Sequence, residues 1–247
     1  MAKLAERVVS LVPSLTEAIC DLGAAERLAG ITDYCPPVRP GLPRVGGPRT
    51  LQLEAIRALA PDLVVACIEE NPREDLEWLG RHAEVFAPSC RSLDDAAGLV
   101  RGLGTRLSAS PQAAEHLARL EVARAEVGGG VLRPRRLFYP VWKHPWMAVG
   151  TGCFPAAMLG EAGGISVLHA SGRAYPTLEI EELVRLAPEL ILLPDEPWRF
   201  GAGDARELER LFSGPVPPII GVPGRWAAWY GTRMDQGLRG LAAAISS

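Results

Sequence analysis

Apolar and polar positions change their period several times along the chain, and each change marks an element. The run VVSLV at residues 8–12 is near-continuous in apolar residues and predicts a short buried strand closed by Pro13. LTEAICDLGA then carries its apolar residues at helical spacing. Ser14 is placed to cap that helix, with Glu17 three residues on completing a capping box, and Gly23 ends it. RLAGIT reads as a second strand, and YCPPVRPGLPRVGGP is too rich in proline and glycine for regular structure. Residues 53–59 are helical by spacing, Pro61 breaks them, and LVVAC is a buried parallel-type strand. Asn71 and Pro72 open a helix over REDLEWLGRHA, and AEVFA gives a further strand. Strands alternating with helices predict a parallel sheet covered by helices.

Residues 94–127 are almost all good helix formers, interrupted at Gly102, Gly104 and near Pro111. From Pro111, a favourable first-turn residue, a helix of about 17 residues, or about 25 Å, runs to the glycines at 128–130. Its position at mid-chain makes it a rigid connector between two halves. The second half repeats the pattern: RRLFYPVW is a strand, GCFPAAMLGEAGG a helix, TLEIEELVRLA a helix, LILLP a strand, DARELERLF a helix and PPIIGVP a short strand. GTRMDQGLRGLAAAIS closes the chain as an amphipathic helix.

One stretch occurs twice. Sliding LEAIRALAPDLVVACIEEN onto IEELVRLAPELILLPDEP, a shift of 127 positions, pairs Glu54 with Glu181, Leu59 with Leu186, Ala60 with Ala187, Pro61 with Pro188, Leu63 with Leu190 and Glu69 with Glu196. Each copy reads as helix, proline break, buried strand and then acids just past the strand: Glu69 and Glu70 in one, Asp195 and Glu196 in the other. Ligands of parallel α/β sheets are met at the carboxyl ends of strands, so the acids are candidates for a site. The generic demands of an αβ unit also account for much of the pattern.

Composition narrows the classes. Apolar content of 48% with 22% charged residues is that of an ordinary globular protein, and a net charge of -3 argues against nucleic acid or an anionic membrane face as partner. No apolar run reaches the ~18–20 residues needed to span a bilayer. Cys20, Cys35, Cys67, Cys90 and Cys153 form no CxxC pair, which excludes a zinc knuckle, and no His and acid cluster has the spacing of a bare-metal site. The N-terminal MAKLAERVVSLVPSLTEAI shows no export signal, so the expected location is cytoplasmic as the sequence stands, or periplasmic or extracellular where a signal has been removed.

Taken in order, SLVPSLTEAICDLGAAERLAGITDYCPPV, VGGPRTLQLEAIRALAPDLVVA, GTGCFPAAMLGEAGG and TLEIEELVRLAPELILL resemble the helical-backbone (class III) substrate-binding proteins of ABC importers, the cobalamin and iron-siderophore group. The likeness covers nearly the whole chain. YCPPV, EEN, WKHPWM, LPDEPWRF and WAAWYG are similar to an uncharacterised, cobalamin-binding-like branch of that group. The resemblance implies an α/β fold of two Rossmann-like lobes with parallel sheets, joined by one long backbone helix, with a ligand cleft between the lobes. The corresponding boundaries are residues 1–105 for the N-terminal lobe, 106–130 for the connecting helix and 131–247 for the C-terminal lobe. It further implies no cofactor of the protein's own, a bulky ligand such as cobalamin or another corrinoid, haem or an iron-siderophore, and an ABC permease as partner. Family members present one carboxylate per lobe to the permease, for which Glu74 and Glu207 are the candidates by position.

Aromatic residues are only 6% of the chain, yet they gather in loops, where Phe200 lies beside Trp198 in PDEPWRF: Tyr34, Trp142, Trp146, Trp198, Trp226, Trp229 and Tyr230. A flat apolar face with a polar tip suits a planar, partly polar ligand. With Ser14, Cys35, Glu69, Glu70, Asp195 and Glu196 they make up the candidate ligand contacts. Two other classes stay open at this point: a cytoplasmic carrier or sensor on the same fold, and an acid-base enzyme using Glu69 or Glu70 with Glu196. No GxSxG, P-loop or HExxH motif is present, and no catalytic residue is assigned.

Overall fold

The computed structural model describes residues 4–128 and 133–247. The chain forms two compact units, one comprising the residues up to Arg119 together with Tyr230–Arg233, the other Leu120–Trp229 with Met234–Ser247. In the first unit the elements are β1 (Val8–Ser10), α1 (Pro13–Asp21), β2 (Leu28–Ile31), the two-stranded β3 (Gly46–Gly47) and β4 (Thr50–Leu51), α2 (Leu53–Ala58), β5 (Leu63–Val65), α3 (Arg73–Leu79), β6 (Glu84–Phe86) and α4 (Leu93–Arg106). The helix α5 (Ser110–Gly128) carries the chain from the first unit into the second, as its composition predicts; the expected glycine stop at 129–130 lies outside the described residues. The second unit has β7 (Arg135–Phe138), β8 (Pro140–Trp142), β9 (Met147–Ala148), α6 (Phe154–Glu161), β10 (Gly164–Ser166), α7 (Leu183–Leu186), β11 (Leu190–Pro194), α8 (Ala202–Glu209), β12 (Ile219–Val222), α9 (Arg225–Ala228) and α10 (Met234–Ser246).

The main sheets have one topology. Unit 1 orders its strands β2-β1-β5-β6 and unit 2 β10-β7-β11-β12, every pair parallel. In each, the first strand of the unit lies between the second and the third, so the order reverses between β1 and β5 and between β7 and β11. Crevices that accept ligands open outside the carboxyl ends at such reversals.

The repeated stretch acquires a physical explanation at the opposite, amino ends of the strands. Ala60 and Ala187 both stand in the left-handed region, at φ 45° and 46°. The proline that follows each disfavours the α region for its predecessor, so the helix ends there although no glycine is present. An arginine then clamps each helix end: Arg7 Nη2 donates to the Leu59 carbonyl at 2.7 Å, and Arg136 Nη2 to the Leu186 carbonyl at 2.6 Å. The acid after the proline closes the clamp, Asp62 accepting from the Arg7 amide at 3.0 Å and Glu189 from the Arg136 amide at 2.8 Å. Orphan carbonyls of a last helical turn are thereby satisfied twice by the same device.

Three sequence expectations are corrected. Ser14 is not a cap: Pro13, lacking an N–H, starts α1 one residue earlier, Val12 is the cap residue, and Glu17 pairs with Arg233. RRLFYPVW is not one strand, because after Tyr139 the chain leaves the parallel sheet and β8 pairs antiparallel with β9. The C-terminal segment is not wholly part of the second unit. Arg233 grips Glu17 with two nitrogens, one at 2.7 Å, and the Thr232 hydroxyl donates to Asp21 at 2.5 Å, which ties Tyr230–Arg233 to α1 in unit 1.

The cores are separate. Val9, Leu11, Val45, Ile56, Val64, Ala66, Leu76 and Leu79 fill the first; Phe138, Trp146, Leu183, Ile191, Leu193 and Leu208 anchor the second. Phe138 is fully buried, worth about 1.5–3 kcal/mol of transfer free energy.

Candidate ligand-binding site

Beyond the carboxyl end of β5 the chain reads Cys67, Ile68, Glu69, Glu70, Asn71. Asn71 is buried and shapes the loop, its side chain accepting from the Cys67 amide and donating to the Pro48 carbonyl, both at 3.0 Å. Glu69 is wired into the same unit: it accepts from the Ser89 hydroxyl at 2.5 Å and from the Cys67 thiol, the Cys90 amide and Arg91 Nε, each at 3.1 Å. Burial alone would raise its pKa, but these donors together outweigh burial and hold it at about 2. Glu69 is a buckle between the loops after β5 and β6, and a carboxyl so strongly ionised is unfit to be a general acid.

Glu70 differs. It accepts from the Tyr230 hydroxyl at 2.5 Å, and burial pushes its pKa up against the pull of that bond and of Arg49. Burial likewise raises the Cys67 thiol to about 12, which leaves it an inert neutral group. Ser14, in the first turn of α1 and next to the carboxyl end of β1, is buried with no hydrogen-bond partner for its hydroxyl. Tyr34 and Ile68, in the loops after β2 and β5, are 74% and 52% exposed.

In unit 2 the corresponding reversal lies between Tyr139 and Asp195. Asp195 accepts from the Gly224 amide at 2.7 Å. Glycine is required there, because a Cβ at Gly224 would lie 2.4 Å from the Glu196 carbonyl oxygen and 2.6 Å from its Cγ. Glu196 Oε1 is buried without a partner. Burial and then the Asp195 charge raise the Glu196 pKa, while the Trp229 indole N–H and Arg225 pull it down. Tyr139 is buried close by, its pKa pushed well up by burial and by these two carboxylates. Trp142, 42% exposed, meets Trp198 edge-on at 5.1 Å between centroids, and Tyr175, equally exposed, lies beside Tyr139.

The expected contacts thus divide. Ser14, Tyr34, Glu70 and Tyr230 gather at the carboxyl-end loops of unit 1, and Trp142, Asp195, Glu196, Trp198 and Trp229 at those of unit 2. Cys35 is not among them: its thiol is buried against Thr16 and Thr32, each 3.0 Å away. Trp146 is a core residue, 7% exposed and stacked on Phe200 at 5.6 Å, because the β8–β9 reversal turns it inward while Trp142 faces out. Trp226 packs on α10, where an added Cβ at Gly240 would come within 2.7 Å of its ring. Glu207 is not a free docking carboxylate, since Lys143 Nζ bonds both it and Asp204 at 2.7 Å. Glu74 is exposed in the first turn of α3.

Ile68, Tyr139 and Tyr175 went unnoticed in the sequence. The signal for Ile68 was present: the apolar run LVVACI continues past the end of its strand. No group of three or more potential metal ligands occurs among the described residues.

Comparison with known proteins places these features in context. The sequence pattern of the periplasmic binding protein family matches residues 8–210. The vitamin B12-binding protein of Vibrio cholerae is 28% identical over 195 residues, 76% of this chain and 70% of its own length; that of Pectobacterium atrosepticum is 27% identical over 243 residues, 93% and 84%. Among solved structures, the periplasmic vitamin B12-binding protein BtuF of Vibrio cholerae superposes with a TM-score of 0.83 at 22% identity, covering 98% of this chain and 97% of its own. The periplasmic heme-binding protein RhuT of Roseiflexus sp. RS-1 gives 0.83 at 23% identity, covering 98% of both chains.

Proposed function

The chain belongs to the periplasmic binding protein family, and from that premise we propose that the carboxyl-end loops of its units bind a bulky, planar ligand of the corrinoid or haem class without transforming it. One observation carries the reading. Among the described residues, the buried side-chain atoms that lack a hydrogen-bond partner are Ser14 Oγ and Glu196 Oε1, and each adjoins a strand-order reversal of its own sheet. A buried polar atom without a partner costs about 1–3 kcal/mol, so folded chains retain few of them, and a bound water or a ligand donor is what satisfies such an atom. The exposed Tyr34, Ile68, Trp142 and Tyr175 supply apolar faces in the loops of the same two ends. The curated relatives are named for vitamin B12, and the similar structures for vitamin B12 and haem, which supports the ligand class.

The acid-base alternative finds no support in Glu69, which is committed to four donors and held ionised. The chain serves as the substrate-binding component of an ABC importer, working outside the cytoplasmic membrane as its relatives' names imply, with Glu74 presented to the permease. No helix of the described residues is long and apolar enough to cross a membrane.

The test is a titration of the purified protein with cyanocobalamin, dicyanocobinamide and haem, followed by visible absorption and tryptophan fluorescence. Saturable one-to-one binding of one of them in the micromolar range or tighter supports the reading; absence of saturable binding by all three refutes it.

A further inference from the structure

The unpartnered oxygen of Glu196 bears on which planar ligand is taken. We infer that Glu196 selects ligands whose rim carries carboxamides over ligands whose rim carries carboxylates, an inference that rests on the ligand-binding reading above.

The chemistry follows from what each rim group can offer. A primary carboxamide has two N–H donors and a carbonyl acceptor; a carboxylate at neutral pH only accepts. Glu196 Oε1, buried without a partner, is an acceptor waiting for a donor. A carboxamide N–H satisfies it, whereas a ligand carboxylate leaves it unsatisfied and adds a like charge in a partly dry place. The surroundings sharpen the choice. Asp195 contributes a second negative charge beside Glu196, the Tyr139 phenol is buried nearby, and the Trp229 indole N–H is already turned to the Glu196 carboxyl. Arg225, a cation acting on Glu196, is exposed, so solvent screens what it can offer a ligand carboxylate. The position of Glu196 is fixed: Gly224 packs against its backbone and Cγ, and the Gly224 amide holds the neighbouring Asp195.

Two corrinoids with the same macrocycle test this. Dicyanocobinamide carries its side chains as amides and dicyanocobyrinic acid carries them as free acids. Titrated at pH 8, the protein is expected to prefer the amide form by about tenfold or more. Glu196→Gln, which keeps the shape and removes the charge, is expected to shrink that preference to about threefold or less. Glu196→Ala gives the same loss should the first variant melt early. Glu181→Gln, the same change of net charge on an exposed turn, is expected to keep the preference. Equal affinity for the two corrinoids, tighter binding of the acid, or a preference that Glu196→Gln leaves intact overturns the inference. Binding of haem with neither corrinoid bound also overturns it while leaving the planar-ligand reading standing; no binding of any of them removes that reading and the inference together.

Discussion

Replacing Glu69 with glutamine tests whether the first acid of the loop after β5 is a structural buckle or a ligand contact. In the folded chain its carboxyl is held at about 2 against an ordinary 4.5. That difference corresponds to at most about 3.5 kcal/mol of folding free energy. Its side chain keeps 28% of its surface in water and Arg91 is largely exposed, so screening brings the figure to about 1–2 kcal/mol. The sign is set by the direction of the shift. A carboxyl whose folded value lies below its unfolded one stabilises fully above about pH 4.5 and loses that contribution as pH falls toward 2. Urea unfolding of wild type and Glu69→Gln, followed by tryptophan fluorescence, should therefore show the variant weaker by about 1–2 kcal/mol at pH 7, with the gap reduced to about half or less by about pH 3. A gap of the same size at both pH values, or none at pH 7, would refute the assignment. Ligand affinity of the variant should stay within about twofold of wild type, since no donor of Glu69 is free for a ligand.

Further outcomes separate core from site. Trp146→Ala should cost about 3–5 kcal/mol of stability, measured by thermal or urea unfolding, whereas Trp142→Ala should leave melting nearly unchanged and weaken ligand binding by about 1–3 kcal/mol in a titration. Gly224→Ala should weaken ligand binding at least about tenfold, because the added methyl forces the Glu196 turn to move. Arg7→Ala and Arg136→Ala should each lower stability by about 1–2 kcal/mol without touching ligand affinity, since both act at the amino ends of the sheets.

The architecture was legible because it rests on periodicity. Near-continuous apolar runs such as LVVAC and LILLP give parallel strands whatever their neighbours, and the helix formers between Pro111 and Val127 give α5 within a residue at its described ends. The repeat was legible too, but its cause was not. Leu59-Ala60-Pro61-Asp62 and Leu186-Ala187-Pro188-Glu189 match because both build an arginine-clamped helix end at the amino ends of the strands. The paired Glu69 and Glu196 farther along do opposite things: one is saturated with donors, the other keeps an oxygen unpartnered. That contrast comes from Ser89, Cys90 and Arg91, which lie 20 to 22 residues from Glu69 in sequence, whereas Glu196 meets the Trp229 indole N–H and the exposed Arg225 instead.

The aromatic residues show the same limit. Trp142 and Trp146 are four residues apart in one loop-like stretch, and nothing in VWKHPWM distinguishes the exposed ring from the buried one. The turn between β8 and β9 decides it. Cys35 is a candidate contact by its place in a loop, yet Thr16 from α1 and Thr32 just after β2 enclose its thiol. Conversely, the exposure of Tyr175 depends on a loop conformation that no local pattern encodes.

Hydrogen exchange of the protein with and without saturating cyanocobalamin, or whichever corrinoid or haem titrates, tests the central claim most directly. The expected result is slowed exchange in the carboxyl-end segments of each unit, residues 11–16 and 67–71 in one and 139–142 and 195–200 in the other, with the amino-end segments 59–63 and 186–190 unchanged. Protection concentrated in those amino-end segments, or confined to α10 or α4, would contradict it.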